Sequence, residues 1–525
     1  MKNSMYDYYD QIEKQTDLKA LLDYCYENYK SDFVLSYKEG KKTERKTFEQ
    51  LRSESIRLAT VLINKGWKAR KIAAILPNCY EWVLAYFAIQ LSGNVIVPID
   101  PRLPAEEQVG LIRQTNVNVA FIIGVNTCLQ DVCEIFDLTG LIIESHKITA
   151  QELVVNPDAV SMIYFTSGST GQNKGVMLSQ HNMCFDVCMI TKLCSPEGGK
   201  KAIATLPFHH TLGITTFLFY MLYGLETYIE RSPKYLMKDL AEVSPAVTAW
   251  VPAVAESIYN SVLRQIDSPM KKMKYTFAKI LSRFMVFIGI DVRRIIFRRI
   301  HIALGGNLRF LVCGGAPLKK EIINEFRIWG IHIMPGYGIT ECSPVISTTR
   351  NYNWRDGSAG LVLPEVRVKI TDDCEILVKG DNVFHGYYGD EHSTKEAFSV
   401  DGWFKTGDLG YIDADGFLYV IGRKKNLIIL SNGENISPEE LEEKLISYFP
   451  MVKEVVVFQE EDRIIGEVYV DRTEYRTRIL TDLTSFNRTI NVGKQIHEVR
   501  FRETPFPKTN SGKIKRINIG GKQNV

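Results

Sequence analysis

The segment Val160–Asn182 concentrates residues that could do chemistry. An apolar run, Ser161-Met-Ile-Tyr-Phe165, ends in Thr166, Ser167, Gly168, Ser169, Thr170 and Gly171, and Lys174-Gly175 follows. Three glycines and four hydroxyls within ten residues make a loop with many open N–H groups. Such a loop can wrap an anionic phosphate, with Lys174 supplying charge. It is not the P-loop of NTPases, which needs Gly-Lys-Ser/Thr, because Lys174 lies between Asn173 and Gly175. A plain Ser/Gly linker would leave the apolar run ahead of it unexplained. Elsewhere, Glu341 beside Thr340 offers a hard oxygen ligand, or else a surface carboxylate on a turn. Asp408 after Gly407 offers a carboxylate, with a turn residue as the plainer reading to weigh against it. His209 and His210 stand in tandem in an apolar run, and Lys513 falls in the basic stretch Lys508–Arg516, by itself the mark of a solvated tail.

These residues need elements to position them. From Leu51 to about Ile370, helical patterns alternate with short β-branched runs such as Lys71–Leu76, Val117–Ile123 and Ala246–Val251, which predicts α/β layers with largely parallel sheets. Glu375–Gly422 is richer in short strands and turns, including Asp401-Gly402 and Asp415-Gly416. Ser437-Pro438-Glu439-Glu440 carries a strong helix-opening signal, with Ser437 as the cap. The boundary is expected at Arg423–Lys425. Two uncharged stretches, Trp82–Ile99 and Ala202–Leu225, are broken by Ser92-Gly93-Asn94 and by Pro207, His209 and His210, so both read as buried core.

The chain has 525 residues, 45% hydrophobic and 24% charged, an ordinary globular composition that excludes disorder, collagen and a disulfide-stapled miniprotein. Lys+Arg 64 less Asp+Glu 61 gives +3, so no global field argues for nucleic acid. The ten cysteines form no CxxC pair and read as reduced cytosolic thiols. The N-terminus has no apolar core of a secretory signal. A cytoplasmic protein, at most peripheral at a membrane, is the expectation.

The candidate residues fall in an ordered series. Leu91–Pro101, Gly314-Gly-Ala-Pro317, Gly336-Tyr-Gly-Ile-Thr-Glu341, Asp401–Asp408, Gly422-Arg423, Ser431–Ile436 and Pro507–Lys513 resemble, together with the loop, the motifs of the adenylate-forming enzymes. That superfamily holds acyl-CoA synthetases, luciferases and peptide-synthetase adenylation domains. The resemblance implies an α/β fold with a large N-terminal domain of layered α/β subdomains plus a β-rich subdomain, residues 1–424. A small mobile α+β C-terminal domain, residues 425–525, is implied to follow. It also implies ATP, Mg2+ and a thiol, either CoA or the phosphopantetheine of an acyl carrier protein. A substrate carboxylate attacks the α-phosphorus, pyrophosphate leaves, and the acyl-adenylate passes to the thiol.

Each role carried over by the resemblance has physical sense, since catalysis here is positioning plus electrostatics. Thr166–Gly171 and Lys174 would hold phosphates, and Gly315, Ala316 and Pro317 would line the adenine side. Tyr337, next to Gly338, would stack on adenine. Thr340 would bond the α-phosphate and Glu341 would hold magnesium. Asp408 would accept both ribose hydroxyls, with Arg423 adding a contact. Lys513 would bridge carboxylate and α-phosphate. Lys425 would be the hinge of a domain swing that brings Gly433 toward the thiol. A non-catalytic nucleotide- or acyl-binding sensor is the alternative, although it need not keep Lys174, Glu341, Asp408 and Lys513 together.

Amino-acid-activating members carry an Asp in the segment matching Pro207–Gly213, and none stands here. An unpaired buried ammonium would cost several kcal/mol, which argues for another acid. His210 matches a His near the carboxylate in acyl-activating relatives. Leu206–Thr211, Leu304–Leu318 and Arg423–Ile436 look like long-chain fatty acid–CoA ligases, making a fatty acid the expected substrate. Leu441–Lys513 is short for the C-terminal domain, which keeps a carrier protein beside CoA as acceptor. The basic segment 271–299 places Phe277, Ile280, Leu281, Phe284, Met285 and Ile288 on one helical face, with Lys279 and Arg283 opposite. It reads either as a helix lying on anionic lipid or as one packed on the domain with its basic face in solvent.

Overall fold

A computed structural model describes residues 12, 15–124, 129–167, 173–196, 198–351, 353–429, 435–460, 463–491, 494–508, 514 and 516. Two compact units divide the chain: Met1–Arg367 with Val378–Phe404, and Val368–Leu377 with Lys405–Val525. The α/β class expected from the sequence holds.

The first unit contains two mixed sheets. In the seven-stranded sheet the order is Gly386–Tyr387, Asn173–Ser179, Val160–Ser167, Val95–Pro98, Lys71–Ala74, Val119–Ile122 and Glu134–Asp137. Its centre is parallel, with Ile72 opposite both Ile96 and Val119. The four-residue runs Lys71–Ala74, Val95–Pro98 and Val119–Ile122 are almost wholly buried, as strands covered on both faces must be. The helix Tyr80–Leu91 buries every side chain except Glu81. An all-round apolar helix has no solvent face to present. It stops at Ser92, Gly93 turns the chain with φ +73°, and Val95 opens the next strand. The uncharged stretch Trp82–Ile99 is thus a buried helix and strand. No helix of the described residues is long and apolar enough to cross a membrane.

The nine-stranded sheet runs Leu361–Val362, Val345–Thr348, His332–Gly338, Phe310–Cys313, Val247–Trp250, Lys201–Ala204, Glu226–Ile229, Phe33–Glu39 and Lys42–Thr47. The six strands from His332–Gly338 to Phe33–Glu39 are parallel throughout. Trp250, Phe326 and Trp329 are fully buried members of one hydrophobic core.

The helix Pro269–Phe287 sits against that core through Tyr275 and Ala278. Tyr275 accepts from Trp329 Nε1 at 2.8 Å and donates to Glu325 Oε2 at 2.9 Å. Ser282 is buried and Lys279 turns inward to pair with Glu325. The apolar face therefore points outward, and Lys279 does not stand on a solvated basic face. A carboxylate at 325 decides this, because it draws the lysine in.

The second unit holds most of a four-stranded sheet ordered Arg367–Ile370, Glu375–Lys379, Phe404–Ile412 and Leu418–Arg423. A three-stranded sheet of Glu454–Glu460, Arg463–Tyr469 and Glu498–Arg502 follows. The helices Pro438–Tyr448 and Glu474–Asn487 pack on it through Leu441, Leu445, Ile479 and Phe486. Ser437 precedes the helix as foreseen, but its hydroxyl does not cap it. Oγ donates instead to Ile421 O at 2.9 Å, tying the helix entry to the end of the preceding hairpin.

Candidate active site

Functional segments in the first unit gather where parallel strands end, the edge at which open α/β sheets bind ligands. Gly315, Ala316 and Pro317 follow Phe310–Cys313, and the strand alongside, His332–Gly338, delivers Tyr337, Gly338, Thr340 and Glu341. Tyr337 is half-buried and pairs in register with Ser347. Gly338 admits no side chain, since a Cβ there would lie 1.8 Å from Pro344 O. Thr340-Glu341-Cys342 form a 3-10 turn. Its exit is clamped by Ser343 Oγ donating to Asn382 O at 2.8 Å, and by Asn382 Nδ2 donating to Cys342 O at 3.2 Å and Val345 O at 3.0 Å. Val345 N also donates to Asp186 at 3.3 Å, a fully buried carboxyl whose pKa burial pushes well up.

Lys174 opens the strand Asn173–Ser179, directly opposite Thr166 on Val160–Ser167. The strands before and after the phosphate-type loop thus pair antiparallel. Gly168, Ser169, Thr170 and Gly171 lie outside the described residues. Lys174 Nζ donates to Ser393 Oγ at 2.8 Å and stands 4.7 Å from the centre of the Tyr387 ring. Tyr387 in turn donates from Oη to Glu341 Oε1 at 3.0 Å. Burial first, and Glu341 second, push the phenol pKa far up, so the hydroxyl stays protonated and donates. One aromatic side chain therefore touches both the lysine and the carboxylate. Tyr387 was missed in the sequence because a half-buried tyrosine in a strand looks like any core aromatic. Its short strand pairs with Asn173–Ser179, with Tyr387 opposite Val176.

The strand Lys201–Ala204 leads to the two histidines, and Val95–Pro98 in the other sheet leads to Asp100. His209 Nε2 lies 3.4 Å from Asp100 Oδ2, and both are buried. Arg102 holds the same carboxylate in a fork, with Nε and Nη2 each at 3.0 Å. Burial alone would raise the Asp100 pKa, but His209 and Arg102 outweigh it and hold the carboxyl well below the ordinary range. His210 is exposed and stands at the N-cap position of the helix Thr211–Leu222. Desolvation by the surrounding protein, then the neighbouring His209, lower its pKa to about 4. Asn78 fixes the run before it, donating to Leu206 O and accepting from Phe208 N, both at 2.8 Å. The sequence did not single out Asn78, Asp100 or His209 as a group. Only folding brings residues 78, 100 and 209 together.

Asp408 and Arg423 belong to the second unit and face each other in register on Phe404–Ile412 and Leu418–Arg423. Asp408 is buried, with Oδ1 2.6 Å from Arg423 Nε. A turn residue would be solvated, so that reading of Asp408 is corrected. Gly407 turns with φ +68° and donates its N–H to Glu375 Oε1 at 3.2 Å, while Lys424 pairs with Glu375 and Asp373 at 2.7 Å each. Lys425 is exposed in the 3-10 turn Lys424–Asn426 directly after the hairpin. Gly433 and Lys513 lie outside the described residues. On either side of Lys513 in the sequence, Lys508 pairs with Glu454 at 2.6 Å, and Arg516 grips both oxygens of Glu442 at 2.7 Å.

Among the described residues no cluster of three or more His, Cys, Asp or Glu could by itself hold a metal ion. Glu341 is a single carboxylate, the kind of ligand set used for magnesium, which keeps waters and takes phosphate oxygens for the rest.

Comparison with known proteins gives the chain a family and a fold. The chain is 29% identical over 460 residues to the long-chain-fatty-acid–CoA ligase FadD15 of Mycobacterium bovis, covering 79% of this chain and 75% of that one. Its fold is that of the o-succinylbenzoate CoA synthetase MenE of Bacillus subtilis, solved with the acyl-adenylate intermediate OSB-AMP. The TM-score is 0.75 at 24% identity, covering 94% and 96% of the chains. The same protein with ATP and magnesium ion gives 0.74 at 24% identity over 94% and 98%. A Mycobacterium tuberculosis fatty acyl CoA synthetase gives 0.69 at 21% identity over 96% and 97%. These structural likenesses are of fold. The model of the AMP-binding enzymes matches residues 14–388, about seven tenths of the sequence, and the chain belongs to the AMP-binding enzyme family.

Proposed function

We propose that this protein is an AMP-forming acid–thiol ligase that activates a medium to long fatty acid with ATP and passes it to CoA. The observation that carries the reading is the set Lys174–Tyr387–Glu341. A cation and a hard carboxylate are tied to one side chain, with Lys174 beside the mouth of a Gly/Ser/Thr-rich loop. That arrangement suits a polyphosphate together with its divalent ion. When bound, magnesium would neutralise phosphate charge, with Glu341 as its protein ligand. Lys174 and the loop N–H groups hold the outer phosphates, and Thr340 bonds the α-phosphate. Tyr337 covers adenine, with Gly315, Ala316 and Pro317 along its edge, and Asp408 takes the ribose hydroxyls. The substrate carboxylate then meets the α-phosphorus with Lys513 neutralising both anions, and the P–O bond to pyrophosphate breaks.

His210, neutral at physiological pH, would orient the acid by hydrogen bonding rather than by charge. The fatty acid preference draws support from the missing carboxylate in Pro207–Gly213 and from the likeness to FadD15. In this reading residues from 425 onward form the moving domain, with Lys425 as hinge, and the second pose brings Gly433 to the thiol. A peripheral seat at a membrane through 271–299 is a separate part of the proposal. The test is adenylate and thioester formation across fatty acids of graded length, acetate and amino acids, with CoA and an acyl carrier protein offered side by side. Preference for an amino acid or for acetate would overturn the substrate assignment. Transfer to the carrier protein alone would overturn CoA, and absence of any acid-dependent ATP–pyrophosphate exchange would favour the sensor.

A further inference from the structure

The helix Pro269–Phe287 carries an exposed apolar ridge. Met273, Phe277, Ile280, Phe284 and Phe287 recur at alternating spacings of four and three, so they form one narrow stripe along the helix. All five are exposed, Phe277 at 65%, Ile280 at 62%, Phe284 at 58% and Phe287 at 87%. The stripe is not an inner face left uncovered. The inner face is Tyr275 and Ser282, bonded or buried against the domain, and the ridge lies on the opposite side. Exposed apolar surface of this length on a helix end to end marks a site of contact.

What it contacts follows from charge. Lys272, Lys274 and Arg283 flank the ridge and are exposed, and Arg298 and Arg299 stand exposed on the short helix Arg298–Ala303. None of these five has an ion-pair partner among the described residues, whereas Arg293 and Arg294 nearby are spent on Asp291 and on backbone carbonyls. A second copy of the helix would bring Lys274 and Arg283 against their own kind in either direction, so the basic flanks oppose a dimer. An anionic bilayer answers both features: acyl chains take the ridge, and the long basic side chains reach up to the headgroups.

We propose that the outward face of Pro269–Phe287 is a docking ridge for an anionic lipid surface, with Phe277, Phe284 and Phe287 inserted and Lys272, Lys274 and Arg283 on the headgroups. This deepens the peripheral seat proposed above and rests on that reading. It does not depend on the adenylation chemistry.

The experiment is cosedimentation of the full-length protein with phosphatidylglycerol and with phosphatidylcholine vesicles at low and at high salt. Strong binding is expected only to phosphatidylglycerol at low salt. Phe277→Asp with Phe284→Asp should abolish it. Because each basic residue near such a surface counts about fivefold, Lys272→Glu, Lys274→Glu and Arg283→Glu together should weaken it about a hundredfold or more. Both sets change exposed residues, so unaltered thermal unfolding is expected and checks the fold. ATP–pyrophosphate exchange without vesicles, on a soluble medium-chain acid, should stay at the wild-type rate in both variants, which separates failure of docking from failure of the ligase reading. Equal binding to both lipids, no binding to either, or a concentration-dependent dimer dissolved by the same phenylalanine changes would overturn the proposal.

Discussion

Replacing Tyr387 by Phe should damage the magnesium-dependent step selectively. The change removes one hydroxyl that donates to Glu341 at 3.0 Å and keeps the ring that Lys174 faces at 4.7 Å. A hydrogen bond to a charged acceptor is worth ~1.5–3 kcal/mol. Glu341 is half-buried, so water recovers part of that and the net loss should be about 1–2 kcal/mol, or roughly five- to thirtyfold. The carboxylate would then be held less firmly where the metal must meet it. The assay is single-turnover acyl-adenylate formation against magnesium concentration, at saturating ATP and acid. The half-saturating magnesium concentration should rise about tenfold, with little change in the rate at saturation. Tyr387→Leu should add the loss of the lysine–ring contact, ~0.5–2 kcal/mol, and so raise the ATP requirement as well. An unchanged magnesium dependence in Tyr387→Phe, or equal losses in both variants explained by a fall in melting temperature, would refute the positioning role.

Asp408→Asn should raise the KM for ATP about a hundredfold, because one neutral amide cannot replace two charge-assisted bonds. Arg423→Gln should do less, and a KM within twofold of wild type in Asp408→Asn would show that the carboxylate only serves Arg423. His210, followed by NMR, should titrate near 4 rather than at the ordinary histidine value, since desolvation and His209 disfavour the cation. A depressed histidine pKa adds stability that is fully present above about pH 6.5 and lost as pH falls toward 4. In His210→Gln the acid limb of the unfolding profile should accordingly flatten between those values, and an unchanged limb would contradict the assignment. Gly338→Ala should lower stability by about 3 kcal/mol, seen in denaturant unfolding, because its Cβ would meet backbone rather than a side chain that can move.

Much of this fold is legible in the order of the amino acids alone. The short runs at 71, 117 and 246 form parallel strands because their β-branched and small side chains suit a sheet covered on both faces. The break at Ser92-Gly93-Asn94 is equally plain, as Gly93 must turn left-handed there. What stays hidden depends on partners distant in the chain. Periodicity reveals that Pro269–Phe287 has an apolar stripe but not which side faces in, and Glu325 and Trp329 make that choice through Lys279 and Tyr275. The Ser437 hydroxyl leaves its helix for Ile421 O, an acceptor on a neighbouring strand. Asp408 looks like a turn residue because a Gly-Asp pair has no local mark of burial. Its register with Arg423 exists only once the hairpin forms.

Single-turnover kinetics of the two half-reactions in Lys513→Ala tests the central claim most directly. Acyl-adenylate formation from acid and ATP should fall on the order of a hundred- to a thousandfold, the usual loss of ~3–4 kcal/mol for one preorganised electrostatic contact. Conversion of supplied acyl-adenylate and CoA to thioester should proceed at the wild-type rate, since the proposed domain swing would carry the lysine away from that chemistry. Equal slowing of both half-reactions, or of neither, would contradict the account.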